Sequence, residues 1–209
     1  MERLMKEIKP IETEYRGRKY RSRLEARWAV FFDFLGVNYT YENEGFKLPS
    51  GKCYLPDFKI KCYGTRGVCR EQYFDLYVEV KGKMTQEDAE KIIEFSGYRP
   101  IRKVNEWYEG PDYAQENPIL IVGDIPEDGY CGDSIDLHSY EYMDGINISP
   151  WNYLTIDNDE YAAFPAIKVM EDGTVHFYLD GDSSDQQTMN TEIINMAFGA
   201  ARRKRFEKF

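Results

Sequence analysis

Apolar positions recur along the chain at two spacings, and each predicts a different element. In SRLEARWAVFFDFLG, Leu24, Trp28, Phe31, Phe32 and Leu35 fall on one stripe of a helix that Ser22 opens and Gly36 stops. Ser22 and Glu25 also match the S-x-x-E capping box, in which the Glu side chain reaches back to the N-cap amide. VNYTYENEGFKL alternates well enough for a first strand, and PSGK makes a turn. CYLPDFKIKCY gives a second strand, with Pro56 at an edge or irregular point. YGTRGVCREQ reads as a loop and YFDLYVEVKG as a third strand. Thr85 then caps the helix TQEDAEKIIEFSG, with Ala89, Ile92, Ile93 and Phe95 turned inward. PILIVGD (118–124) is short and continuously apolar, which suits a strand covered on both faces. The order helix, three strands, helix, strand predicts a mixed central sheet flanked by helices.

Beyond Asp124 the pattern changes. AIKVMEDGTVHFY holds two apolar runs joined at Asp172-Gly173, the signature of a hairpin turn. TEIINMAFGAARRKRF reads as a final helix with its bases in the C-terminal turns, where the helix dipole favours them. The expected organisation is a core over residues 1–124, with an acidic, β-containing extension and a basic C-terminal helix over 125–209 packed onto it as one unit.

At 209 residues, with 42% hydrophobic and 15% aromatic residues, the chain can bury a core and is not of the disordered class. No apolar run approaches the ~18 residues of a membrane span, and MERLMKEIKP lacks a signal-peptide core, so a cytoplasmic protein with no membrane partner is expected. The four cysteines include no C-x-x-C pair, which argues against structural zinc and for free thiols in a reducing compartment.

The net charge of −10 looks hostile to a polyanionic partner, but its distribution changes that view. Val104 to Glu192 carries 20 Asp and Glu against one Lys, a local balance of −19, which leaves +9 for the remainder. The bases crowd into YRGRKYRSRLEAR, where Arg16, Arg18, Lys19, Arg21 and Arg23 stand among aromatics. Such a cluster is either a solvated surface or a set of phosphate contacts. The acidic stretch raises a rival reading, a non-catalytic binding protein whose acidic lobe mimics DNA or docks on another protein.

Candidate chemistry sits in three acids and a lysine. Glu79 and Lys81 in VEVKGK are two positions apart on a strand and share a face, while Val78 and Val80 point the other way. If the second and third strands are neighbours, Asp57 meets Glu79 across the sheet. Two carboxylates ~4 Å apart repel by ~4 kcal/mol at an effective dielectric of 20, so their convergence calls for a cation. Mg²⁺, which takes one or two carboxylates with waters and phosphate oxygens, suits such a site. Lys81 could then orient or activate a water, or neutralise charge in the transition state. Each residue also has a structural explanation: E-x-K pairs are common on half-solvated sheet edges, and the capping box accounts for Glu25.

The run YRSRLEARWAVFFDFLGVNYTYENEGFKL…YLPDFKI…YVEVKGK resembles the PD-(D/E)XK nuclease superfamily, especially its small phage and prophage members. Pro56-Asp57 matches the PD element, Glu79-Val80-Lys81 the (D/E)XK element, and Glu25 the acid of the first core helix. The likeness spans residues 14–122, and the ending AARRKRFE is also similar to such phage proteins. It implies a restriction-endonuclease-like α/β fold and a Mg²⁺-dependent DNA endonuclease, with Mn²⁺ able to substitute. The implied metal lies between Asp57, Glu79 and the Val80 carbonyl, with Glu25 completing the shell directly or through water. The implied catalytic set is Glu25, Asp57, Glu79 and Lys81. DNA is the implied partner, a homodimer a further one because nucleases of this fold often cut as dimers, and the acidic segment a third surface for a protein. His138 and His176 are isolated and read as ordinary surface or core histidines. DGDSSD (180–185) opens like a calcium loop but has Asp185 where the loop needs glycine, so it reads as an acidic turn.

Overall fold

The structure, a computed structural model, describes residues 10–64, 73–97, 99–101, 112–114, 116–117, 119–125, 140–142, 146–148, 164–169, 175–180 and 191–206. Strands β1 (Thr13–Tyr15) and β2 (Arg18–Tyr20) pair antiparallel around Arg16 and Gly17. Both turn residues have positive φ, 51° and 75°, the two-residue turn whose twist matches a hairpin. Ser22 is extended, and its hydroxyl accepts from the Glu25 N–H at 3.1 Å, so helix α1 (Arg23–Phe34) starts where the pattern places it. Gly36, at φ 68°, takes the left-handed conformation that ends it.

The predicted first strand is broken into β3 (Tyr39–Tyr41) and β4 (Phe46–Lys47). The second is broken into β5 (Cys53–Tyr54) and β6 (Phe58–Gly64). Both breaks have one local cause. Glu42 stands at φ 46°, rare for a residue with a Cβ, and its N–H donates to the Asp57 carbonyl at 2.9 Å. Pro56, beside that carbonyl, has no N–H to continue a ladder. The chain therefore bends twice at one place, and Asp57 lies at the bend.

β7 (Tyr73–Val80) follows, then helix α2 (Gln86–Ser96), where Thr85 and Asp88 form a complete capping box and Gly97 a left-handed C-cap. The remaining elements are β8 (Arg99–Ile101), β9 (Asp112–Ala114), β10 (Ile119–Val122), β11 (Tyr140–Tyr142), β12 (Ile146–Ile148), β13 (Phe164–Val169), β14 (Val175–Asp180) and helix α3 (Thr191–Arg203). The main sheet runs β10-β7-β6-β14-β13, and β3 also pairs with β6. β10 lies parallel to β7 and β14 parallel to β6, while β6–β7, β3–β6 and β13–β14 are antiparallel. The expected hairpin is the β13–β14 pair.

β10 shows how the sheet divides the interior. Leu120 and Val122 join Trp28, Phe31, Phe32 and Phe198 in a core shared by α1 and α3, whereas Ile119 and Ile121 join Ile92 and Phe95 of α2. A strand buried on both faces is what its unbroken apolar run requires. Mixed α/β architecture with helices on both sides of the sheet is thus as expected. Among the described residues no helix is long and apolar enough to cross a membrane. Cys53 is a free, exposed thiol; Cys69, Cys131, His138 and residues 181–185 lie outside the described residues.

Candidate active site

The β6–β7 ladder fixes the first two acids. Its last pair on this side is Phe58 opposite Val78, so the next step sets Asp57 against Glu79. Asp57 Oδ2 accepts the Val80 N–H at 2.7 Å, which ties the bend to the end of β7. Glu79 Oε2 accepts from the Tyr54 hydroxyl at 2.8 Å, and its other oxygen lies 2.9 Å from Lys81 Nζ. The same ammonium is 3.0 Å from Asp88 Oδ1, on the first turn of α2. The Lys81 N–H donates to the Val122 carbonyl at 2.8 Å, so backbone and side chain are both anchored.

Glu25 arrives from α1. Its carboxylate does not serve Ser22, as a full capping box would have it; it accepts from the Arg21 N–H at 3.1 Å and from the Tyr41 hydroxyl. Only the Ser22 half of that box forms. Arg21 connects the remaining acids: Nε lies 2.5 Å from Glu42 Oε1, and Nη2 binds Asp57 Oδ1. Glu25, Asp57 and Glu79 are each at most 6% exposed, while the Arg21 side chain is 54% exposed.

Burial raises the Asp57 carboxyl well above its ordinary range, and repulsion from Glu79 and Glu25 raises it further. The Val80 N–H and Arg21 oppose this without cancelling it. Burial also raises Glu79, against Lys81, the Tyr54 hydroxyl and Arg21. Burial works against the charge on Lys81, yet Glu79 and Asp88 hold it more firmly protonated than a free lysine. Arg21 is likewise held charged, burial opposing and Asp57, Tyr41, Glu42 and Glu25 favouring it. Negative charge at this site is incompletely neutralised by the residues around it.

Among the described residues no group of three or more His, Cys, Asp and Glu side chains could hold a metal ion as they stand. Asp57 and Glu79 nonetheless offer oxygen donors of the kind a hard ion takes. Mg²⁺ needs only one or two protein carboxylates when phosphate and water supply the rest, and the donors here are oxygens. The repulsion that raises Asp57 is what such an ion would remove.

The basic residues take several roles. Arg16 pairs with Asp33 at 3.0 Å and lies 5.7 Å over the Tyr15 ring; Lys19 pairs with Glu12 at 3.4 Å. Arg18 lies near the Tyr20 and Tyr39 hydroxyls, at the wall of a polar cavity of about 260 Å³. Arg23 begins α1, and Arg21 turns inward to the acids. From the far end of the chain, Lys204 comes within 5.4 Å of the Tyr15 ring centre and Phe206 packs edge-on against that ring. Lys204 thus joins the bases of the β1–β2 hairpin.

Sequence reasoning did not bring Tyr41, Glu42, Tyr54 or Asp88 to the site. Asp88 carried a signal, since Thr85 and Asp88 have capping-box spacing and Lys81 stands one helical entry away. Glu42 carried none, because its role comes from a bend that no local pattern announces. No family model, curated protein or solved structure matches the chain.

Proposed function

We propose that the chain is a divalent-metal-dependent DNA endonuclease of the restriction-endonuclease-like, PD-(D/E)XK type. The observation that carries this reading is that two further buried carboxylates, Glu25 of α1 and Glu79 of β7, lie near enough to act on buried Asp57 at the bend before β6, with Lys81 on Glu79. A buried acid whose pKa two neighbouring carboxylates raise, as Glu79 and Glu25 raise Asp57, destabilises a fold, so its placement asks for a functional cause. Asp57, Glu79 and the Val80 carbonyl would hold the ion, with Glu25 reaching it directly or through water. A bound Mg²⁺ or Mn²⁺ would supply an activated water and neutralise charge on the phosphate.

The protein's own residues do the rest. Tyr54 fixes one oxygen of Glu79, leaving the carboxylate a single orientation. The Val80 N–H does the same for Asp57. Lys81, kept protonated by Glu79 and Asp88, favours holding charge on the phosphoryl oxygens over abstracting a proton from water. The basic hairpin, with Lys204 beside it, offers the sequence-independent phosphate contacts that position a duplex or single strand.

Incubation with supercoiled, linear single-stranded and branched DNA tests the proposal. Products that need Mg²⁺ or Mn²⁺ and vanish with EDTA are expected. EDTA-resistant cleavage would exclude the mechanism, and no cleavage of any substrate would favour the binding-protein reading.

A further inference from the structure

We infer that Arg21 is the resident counter-cation of the acid cluster in the DNA-free protein, and that it must leave before a divalent ion can occupy Asp57. This rests on the metal-dependent reading above and adds to it a reason for coupling ion entry to DNA.

Asp57 is 2% exposed, and its two oxygens are already used, one by the Val80 N–H and one by Arg21. The Val80 bond belongs to the sheet end and is fixed. The Arg21 bond does not share that constraint. Arg21 lies between β2 and the N-cap of α1, outside both elements, and its side chain is half exposed. It is held by side chains only: Nε by Glu42 and Nη2 by Asp57, with Tyr41 nearby. Its guanidinium acts electrostatically on Glu79 as well, so one positive charge serves the whole cluster.

Guanidinium and a divalent ion compete for the same Asp57 oxygen. They also repel, so the ion gains the site fully only when the guanidinium moves. The half-exposed side chain is free to swing towards solvent, and a DNA phosphate offers it an alternative bidentate partner. The backbone of Arg21 need not follow, because its N–H is held by Glu25 Oε2 and the Tyr41 hydroxyl. Arg21 is therefore a positioning residue that occupies Asp57 and keeps it closed to ions until a phosphate draws it away.

Mn²⁺ binding to DNA-free protein, read by electron paramagnetic resonance or calorimetry, tests this without any cleavage. Arg21→Ala and Arg21→Gln should bind Mn²⁺ at least about tenfold more tightly than wild type, because a close unit charge has been removed. Arg21→Lys should fall between these two variants and wild type, and Asp57→Asn added to Arg21→Gln should abolish the gain. The Mg²⁺-induced rise in melting temperature should be larger in Arg21→Gln than in wild type. If Arg21→Ala does not fold in metal-free buffer, Arg21→Gln and Arg21→Lys carry the comparison. Equal or weaker Mn²⁺ binding in the Gln and Lys variants would overturn the inference. Wild-type protein that still cleaves DNA with Mg²⁺ would, in that case, leave the nuclease reading standing; wild-type protein that does not would remove both.

Discussion

Two cations pair with the buried acids, and they are held in contrasting ways. Lys81 follows directly on the end of β7, bonded through its backbone to Val122, with its ammonium between Glu79 and Asp88 and a side chain 25% exposed. Arg21 lies between two elements, is 54% exposed, and reaches Asp57 by its side chain alone. The same kind of pair is thus built once as a fixture and once as a removable plug. The difference teaches that charge balance here has a permanent half, suited to chemistry, and an exchangeable half, suited to control.

The largest expected effect separates the two. Lys81→Ala should lower the cleavage rate by about a hundredfold or more, the usual cost of removing one preorganised charge. It should also cost about 1–3 kcal/mol of stability, because Glu79 and Asp88 lose a shared, largely buried partner. Arg21→Ala should lower the melting temperature less, since solvent already screens half of its side chain. Equal losses in the two variants, measured by thermal unfolding, would break the comparison.

A middle effect concerns the basic surface outside the acids. Arg18→Ala and Lys204→Ala, at opposite ends of the chain but on one surface, should each make the slope of log K against log salt shallower by about one unit. Binding should weaken alike on all DNA sequences. An unchanged slope would place the phosphates elsewhere.

The smallest effect is in stability. Asp57 and Glu79 both titrate above their ordinary range in the folded protein. Over that window the folded state binds more protons than the unfolded chain, so stability falls as pH rises through it. Asp57→Asn should therefore melt above wild type in metal-free buffer at neutral pH, by about 2–4 °C for each kcal/mol of relieved repulsion. The gap should close as pH drops to the ordinary carboxylate range. A lower melting temperature at neutral pH would mean that Arg21 over-compensates the acids.

Most of the frame was legible because it depends on local periodicity. α1, α2, α3, β7 and β10 follow from apolar spacing and from caps at Ser22, Thr85, Gly36 and Gly97. The β6–β7 register then sets Asp57 against Glu79, as expected if those two strands were neighbours. Three features were not legible, each for a physical reason. The β1–β2 hairpin turns on Arg16-Gly17, and an arginine in the left-handed region is not the asparagine or aspartate that announces such turns. The break at Glu42, and its tie to the irregular point that Pro56 did announce, arise from one bond between two distant backbone positions. The inward turn of Arg21 depends on acids that only the folded chain collects, so the sequence grouped it with the surface bases.

The most direct measurement of the central claim is the nicking of supercoiled plasmid by wild type and by Asp57→Asn under saturating Mg²⁺. Wild type should convert the plasmid, and Asp57→Asn should leave it intact while melting at or above the wild-type temperature. Wild-type cleavage by Asp57→Asn would contradict the account, because the acid that the bend, the Val80 N–H and Arg21 all serve would then have no part in the chemistry.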